Sequence, residues 1–153
     1  MGLDMYLKKS TYIGAYYPHR KIKGTIRLTK DGCPIPIQRD RLMEVTELLG
    51  TWRKANAIHG WFVRNCADGV DDCRPMWVSR EKLETLLEIV REARKTPDRF
   101  HAELPPTKGF FFGSTEDLEW YHQDLATTEE ILIEALKEPK DDFGFDFYYE
   151  ASW

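Results

Sequence analysis

The sequence has few cysteines, no long hydrophobic run and none of the common phosphate-binding motifs. Three cysteines, at positions 33, 66 and 73, form an odd number and lack the close pairs typical of a structural zinc site. This spacing favours reduced thiols in a cytoplasm, and we expect no metal and no other cofactor.

The start MGLDMYLKKS lacks the apolar core of a secretion signal, and position 6 is Tyr rather than the Ser or Thr of a myristoylation site. With no apolar segment as long as a membrane span, we expect no contact with a membrane.

Several catalytic and nucleotide-binding signatures are also missing. The sequence contains no G-x-x-x-x-G-K-[ST], no G-x-G-x-x-G and no G-x-S-x-G. The acidic loop with Asp68, Asp71 and Asp72 lacks the alternating ligands and the late Glu of a calcium loop. Any function therefore has to rest on a less familiar arrangement of residues.

The length and composition indicate a single folded domain over residues 1–153. Hydrophobic residues make up 42% and charged residues 31%, ordinary values for a globular protein with a real core. Aromatic residues make up 13%, with five Trp, and such side chains serve cores, stacking sites and interfaces alike.

Charge is distributed unevenly along the chain. Residues 8–30 contain seven Lys and Arg and no acid, whereas residues 114–150 contain twelve acids and two bases, within a net charge of −4. These segments could be two solvated faces, or the basic one could attract an anion. The acidic total argues against duplex DNA as a partner, because affinity for DNA depends on many phosphate contacts.

The first third of the chain has the pattern of β-strands. Residues 2–7 and 11–17 are rich in Tyr, Leu and Ile, and residues 21–29 alternate strictly between apolar and polar side chains. That alternation predicts a strand whose outer face carries Lys21, Lys23 and Arg27. Residues 30–32 form a turn signal, and the prolines in 33–38 predict an edge strand.

The rest of the chain predicts helices and one terminal strand. Apolar residues recur every three or four positions over 39–66, Ser79 can cap a helix over 79–95, and Ser114 or Thr115 can cap a third that reaches about residue 136. Residues 145–153 predict a final strand. The sequence thus predicts an α+β fold, with a small antiparallel sheet of N-terminal strands and the C-terminal strand packed on about three helices.

The stretch WRKANAIHGWF, residues 52–62, places Asn56 and His59 within the apolar stripe of the predicted helix. Buried polar side chains are usually satisfied by structural hydrogen bonds, so the pair could simply fix helix packing. Alternatively the stripe opens onto a pocket where His59 exchanges a proton near neutral pH. The predicted ligand-binding residues are the following: Trp52, Arg53, Lys54, Asn56, His59, Trp61, Lys21, Lys23 and Arg27.

The stretch GFFFGST, residues 109–115, allows two interpretations. Backbone N–H groups of residues 113–115, at the start of the predicted third helix, could bind an anion. The favoured interpretation is a buried aromatic plug followed by a helix cap, because Phe is so often buried.

Several segments together resemble a family of small, uncharacterised proteins encoded by phages and prophages. They are GLDMYL, WRKANAIHGWFVRN, DGVDDC, GFFFGST with the following EWY, and YYEASW, in the same order over nearly the whole chain. The resemblance implies a phage origin and a location in the host cytoplasm. Some members carry a phosphoglycerate kinase label, yet this chain is far too short for a two-domain kinase.

Three functional hypotheses follow from these patterns. The first is a homo-oligomeric accessory protein that binds a small anionic or nucleotide-like ligand and sequesters a host immune signal, by analogy with small anti-defence proteins. The second is a small hydrolase or phosphodiesterase with His59 as general acid or base, oriented by Asp71 or Asp72. The third is an inhibitor that binds a host protein through the acidic C-terminal half.

Overall fold

The computed structural model describes residues 2–21, 23–140 and 144–153. Ile22, in the predicted strand, and residues 141–143 lie outside the described residues. The described residues form six strands and three α-helices, in chain order β1 (Asp4–Tyr12), β2 (Leu28–Lys30), β3 (Cys33–Ile35), β4 (Glu44–Arg53), α1 (Asn56–Cys66), β5 (Met76–Val78), α2 (Arg80–Arg94), α3 (Leu118–Ala135) and β6 (Phe145–Ser152). Short 3-10 turns lie at Pro18–Arg20 and Arg39–Arg41.

Four strands form one antiparallel sheet in the order β4-β1-β6-β5. The long central pair is β1 and β6, so the C-terminal strand lies beside the N-terminal one, as predicted. Alternate residues of both strands face the helices and are buried, among them Met5, Leu7, Phe147 and Tyr149. The α+β fold predicted from the sequence is therefore confirmed.

The prediction of one long helix over 39–66 is wrong in its first half. Residues 44–53 are the edge strand β4, and only residues 56–66 are helical. Pairing with β1 along the whole of β4 outweighs the chance helical spacing of its apolar residues. Gly50 lets α3 approach this strand, because a Cβ there would lie 2.3 Å from the Cγ2 atom of Ile131.

The predicted strand over 21–29 is also wrong, apart from its last two residues. Among the described residues of this segment, none pairs with the main sheet, and only those within Leu28–Lys30 pair, with Cys33–Ile35. The predicted turn between them is present, with Asp31 and Gly32 in the left-handed region at φ 52° and 78°. An alternating pattern without a neighbouring strand therefore did not produce a long strand here.

The second and third helices follow the prediction more closely. The Ser79 side chain accepts a hydrogen bond from the Lys82 N–H and caps α2, whose inner residues Leu83, Leu86 and Val90 are fully buried. The third helix runs unbroken over 118–135 and ends close to the predicted residue 136. Its cap is Asp117 rather than Ser114 or Thr115.

Candidate ligand-binding cavity

A cavity of about 670 Å³ lies between the end of β4, the start of α1, the loop before α3, and α3 itself. This volume is in the range typical of sites for small molecules and cofactors. Its lining residues are Arg53, Lys54, Asn56, Ala57, Phe100, Pro106, Gly113, Ser114, Asp117, Trp120, Tyr121 and Asp124. The lining combines two cations, two acids and three aromatic rings.

The two cations occupy consecutive positions where β4 ends. Arg53 is well exposed, and the one ion pair it makes with a described residue is a long contact, 3.6 Å, with the Asp4 carboxylate. Lys54 has a left-handed backbone at φ 61°, and its ammonium group has no ion pair in the described part of the chain. Non-glycine residues rarely adopt this conformation, and such residues are concentrated at functional sites. Both cations thus remain available to an anion in the cavity.

Gly113 makes room for the Lys54 side chain beside the cavity. A Cβ on Gly113 would lie 3.2 Å from the Lys54 Cβ, and its own φ of 86° also favours glycine. The glycine of GFFFGST therefore permits close packing against a cation.

Three aromatic side chains supply the apolar part of the wall. Trp120 is 63% exposed, which is unusual for such a large ring unless it meets another surface or a ligand. Tyr121 is buried and its ring packs edge-on against Phe100 at 5.0 Å between centroids. The Tyr121 hydroxyl donates to the Leu104 carbonyl at 3.0 Å and accepts from the His101 N–H at 3.1 Å, which fixes its position. The wall can stack a flat ring without first rearranging Tyr121.

Asp124 is the distinctive polar group of the cavity. Its carboxyl group has no hydrogen bond or ion pair with any residue that the structure describes. Burial raises the pKa of the Asp124 carboxyl to about 7. An unpaired carboxyl group that titrates near neutral pH, in a cavity, is characteristic of functional sites.

Asn56 lines the cavity, but its polar atoms serve the protein backbone. The side-chain amide donates to the carbonyls of Phe112 and Ser114, at 3.1 and 2.9 Å, and its oxygen accepts from the Thr107 N–H at 3.0 Å. These three bonds hold residues 107–114 against the start of α1. Gly60 permits the same approach, because a Cβ there would lie 2.1 Å from the Thr107 hydroxyl oxygen.

His59 lies in the sealed core, one turn further along α1. Its side chain is fully buried, its Nδ1 atom is 2.8 Å from the Tyr149 hydroxyl, and its Nε2 atom is 3.0 Å from the Asp71 carboxylate. The rings of Phe112 and Trp153 pack edge-on against the imidazole. Burial, reinforced by the Asp71 charge, raises the pKa of Tyr149 well above its usual value. The contact between His59 and Asp71 anticipated for a hydrolase is present, but no ring nitrogen faces the cavity.

The nine predicted ligand-binding residues therefore fall into three groups. Arg53, Lys54 and Asn56 line the cavity. The two predicted tryptophans do not: Trp52 is buried and donates its indole N–H to the Thr128 hydroxyl at 2.9 Å, and Trp61 is buried against Phe62. His59 also belongs to the core. The third group contains the three cations of the segment that was predicted to be a strand. These residues, Lys21, Lys23 and Arg27, do not line the cavity either.

Several lining residues were not predicted from the sequence, among them Phe100, Trp120, Tyr121 and Asp124. A pattern in the sequence could have identified Asp124. It lies three residues after Tyr121 and next to Leu125, both on the buried face of α3. An acid on an apolar face needs a partner or a cavity.

The GFFFGST segment fits neither sequence interpretation fully. Phe112 is buried beside His59, as a plug would be, but Phe110 is 92% exposed. Residues 113–115 precede α3 rather than starting it, since the helix begins after Asp117. The anion site predicted at its N–H groups therefore lacks a helix terminus.

Comparison with protein-family models, curated proteins and solved structures found no match to this chain. Over the described ranges, no group of three or more His, Cys, Asp or Glu side chains is arranged to hold a metal ion. No helix among the same residues is long and apolar enough to cross a membrane.

Proposed function

We propose that this protein binds a small anionic, nucleotide-like ligand in the cavity between β4 and α3. The observation that carries the proposal is the juxtaposition of Arg53 and Lys54 with an aromatic wall around a cavity of about 670 Å³. Cations attract phosphate, and aromatic faces stack on bases whatever their identity. A compound with a phosphate and a flat ring satisfies both parts of the lining.

The biological setting forms part of the same proposal. The resemblance to phage-encoded proteins suggests an accessory protein of the host cytoplasm that sequesters a nucleotide signal of host immunity, acting as a homo-oligomer. Sequestration requires binding without turnover. The cavity suits this role because His59, the side chain suggested for acid–base catalysis, has both ring nitrogens engaged within the core.

The acidic C-terminal half gives less support to a protein-binding role. Several of its acids already pair within the chain: Glu129 binds Arg91 and Arg94, and Glu138 binds Lys9. Internal pairing lowers the charge that this surface could offer to a partner.

Calorimetric titration with purine 5′-monophosphates tests the proposal. We expect wild-type protein to bind at least one of them, with an affinity that falls as salt rises. The variant Arg53→Gln/Lys54→Gln removes both charges but leaves unbranched polar side chains, and it should bind at least tenfold more weakly. A matched control, Lys95→Gln/Lys137→Gln, removes two exposed lysines of surface ion pairs and should bind normally.

Two results would contradict the proposal. If no purine monophosphate binds, the proposal of a nucleotide-like ligand is wrong. If the Arg53/Lys54 variant binds with the same affinity as the wild type, the cavity is not the binding site. Recovery of the intact nucleotide after denaturing the complex distinguishes sequestration from hydrolysis.

A further inference from the structure

We infer that Asp124 makes the cavity selective for a guanine-type base, whose ring N–H and exocyclic amine donate side by side to the two carboxylate oxygens. This inference rests on the proposed function, because it names the class of nucleotide that the cavity binds. It also assigns a specificity-determining role to a residue on α3 that lines the same cavity as Arg53 and Lys54.

The first argument is that Asp124 differs from the other lining side chains that can accept a hydrogen bond. Asn56 makes three hydrogen bonds to backbone groups, Asp117 accepts from the Trp120 N–H at 3.0 Å, and the Ser114 hydroxyl accepts from the Glu116 N–H at 3.2 Å. Tyr121 both donates and accepts. Among the described residues, Asp124 alone offers the cavity a hydrogen-bonding side chain whose acceptors are all unused.

The second argument comes from the chemistry of the acceptor. A carboxylate only accepts hydrogen bonds, and its two oxygens suit two parallel N–H donors. Guanine presents such a pair on its Watson–Crick edge, in the ring N–H and the exocyclic amine. Adenine places an acceptor nitrogen next to its amine, so only one of the two carboxylate oxygens is satisfied. The wall formed by Trp120, Tyr121 and Phe100 accepts any flat ring, so discrimination falls to Asp124.

The third argument concerns the charges around Asp124. The other ionisable groups of the cavity are Arg53 and Lys54 at the end of β4, with Asp117 and Tyr121 on the α3 side. On α2, Arg91 and Arg94 face α3 but bind Glu129. No cation therefore neutralises Asp124 within the described residues, and a ligand N–H pair would provide the missing partner.

The protonation state of Asp124 predicts how binding depends on pH. Burial raises the pKa of its carboxyl group to about 7, so the group is partly protonated at neutral pH. Two N–H donors favour the ionised form, and binding should release a proton. Burial also raises the pKa of Tyr121, which therefore stays neutral over this range. Affinity for a guanine nucleotide should rise between pH 6 and pH 8.

The test compares four nucleotides that differ only at the edge of the base. Wild-type protein should bind guanosine monophosphate about tenfold or more tightly than inosine monophosphate, which lacks the exocyclic amine, and than adenosine monophosphate. In Asp124→Asn the order should change. The Asn amide donates to the carbonyl that xanthosine monophosphate carries in place of the amine, so xanthosine should gain affinity while guanosine loses about tenfold.

A matched control and two distinct failures complete the design. Glu130→Gln makes the same carboxyl-to-amide change at an exposed position of α3 that does not line the cavity, so it should keep the wild-type affinities and preference. If the nucleotides bind equally and Asp124→Asn changes nothing while Arg53→Gln/Lys54→Gln still weakens binding, the inference fails and the proposed function stands. If none of them binds the wild-type protein, both fail.

Discussion

His59 in the core and Asp124 at the cavity are both ionisable side chains that burial has partly or wholly removed from water, but they differ in their hydrogen-bond partners. Both nitrogens of His59 have a partner, and no part of the ring is exposed. Asp124 has no partner among the described residues and borders a cavity. A buried polar group that is fully satisfied stabilises one packing arrangement, whereas an unsatisfied one at a cavity has capacity left for a ligand.

This difference also separates the roles of the two elements. In the core, α1 positions the Asp71–His59–Tyr149 chain of contacts and joins it to β6. At the cavity, α3 contributes Asp124 to a lining that also contains Arg53, the last residue of β4, and the adjacent Lys54. Stability should therefore respond most to His59, and ligand selectivity to Asp124.

The largest expected effect comes from His59→Ala. This change leaves the buried Tyr149 hydroxyl without its partner and creates a cavity in the core, so the free energy of unfolding should fall by about 3 kcal/mol. Urea denaturation measures the loss. The matched variant Tyr149→Phe keeps the ring and removes only the hydroxyl, and it should lose about 1–2 kcal/mol.

Ligand binding by the folded His59→Ala protein provides the decisive comparison. Nucleotide affinity at a temperature where the variant is folded should equal that of the wild type, since His59 does not line the cavity. A variant that is as stable as the wild type but cannot bind would place the functional site at His59 instead.

An intermediate effect is expected from Asp124→Asn on the pH dependence of stability. The folded-state pKa of Asp124, about 7, lies above its ordinary value of 3.8. Between these values the folded protein holds a proton that the unfolded chain has lost, so its contribution to stability declines as pH rises from about 4 to 7. Removing the charge should add about 1–2 kcal/mol at pH 8, after allowance for partial exposure, and nothing at pH 4.

Denaturation curves at pH 4, 6 and 8 for the wild type and Asp124→Asn measure this gain. Asp117→Asn, whose carboxylate caps α3 in the wild type, serves as the control and should show no comparable gain at pH 8. An Asp124→Asn protein that is destabilised at pH 8 would mean that the carboxylate has a stabilising partner, contrary to the comparison with His59.

The parts of the fold predicted from sequence are those where local pattern and tertiary packing agree. The apolar residues of α2 recur with a helical period, and packing against α3 buries that same face. Ser79 caps this helix, as predicted. Over 44–53 the spacing of apolar residues suggested a helix, but pairing with β1 determined the structure. Nothing in a single sequence reveals which neighbour a segment will meet, so β4 could not be distinguished from the start of α1.

The same reason limited the prediction of the site. Arg53, Lys54 and Asn56 were found because they adjoin one another in sequence at the junction of β4 and α1. Trp120 and Asp124 belong to a distant helix, and only the fold brings them to that junction. The helix predicted over 39–66 also included residues 52–54, which misplaced Trp52 as a ligand-binding residue.

The smallest expected effect comes from Lys21→Gln/Lys23→Gln/Arg27→Gln. These cations lie in an exposed segment and do not line the cavity, so their influence on a bound anion is limited to a field that salt screens over about 8 Å. Nucleotide affinity in calorimetry should change by less than about twofold at physiological salt, and unfolding free energy by less than about 0.5 kcal/mol. Since this variant removes one more charge than Arg53→Gln/Lys54→Gln, a loss of affinity as large as in that variant would show that overall positive charge, rather than position in the cavity, controls binding.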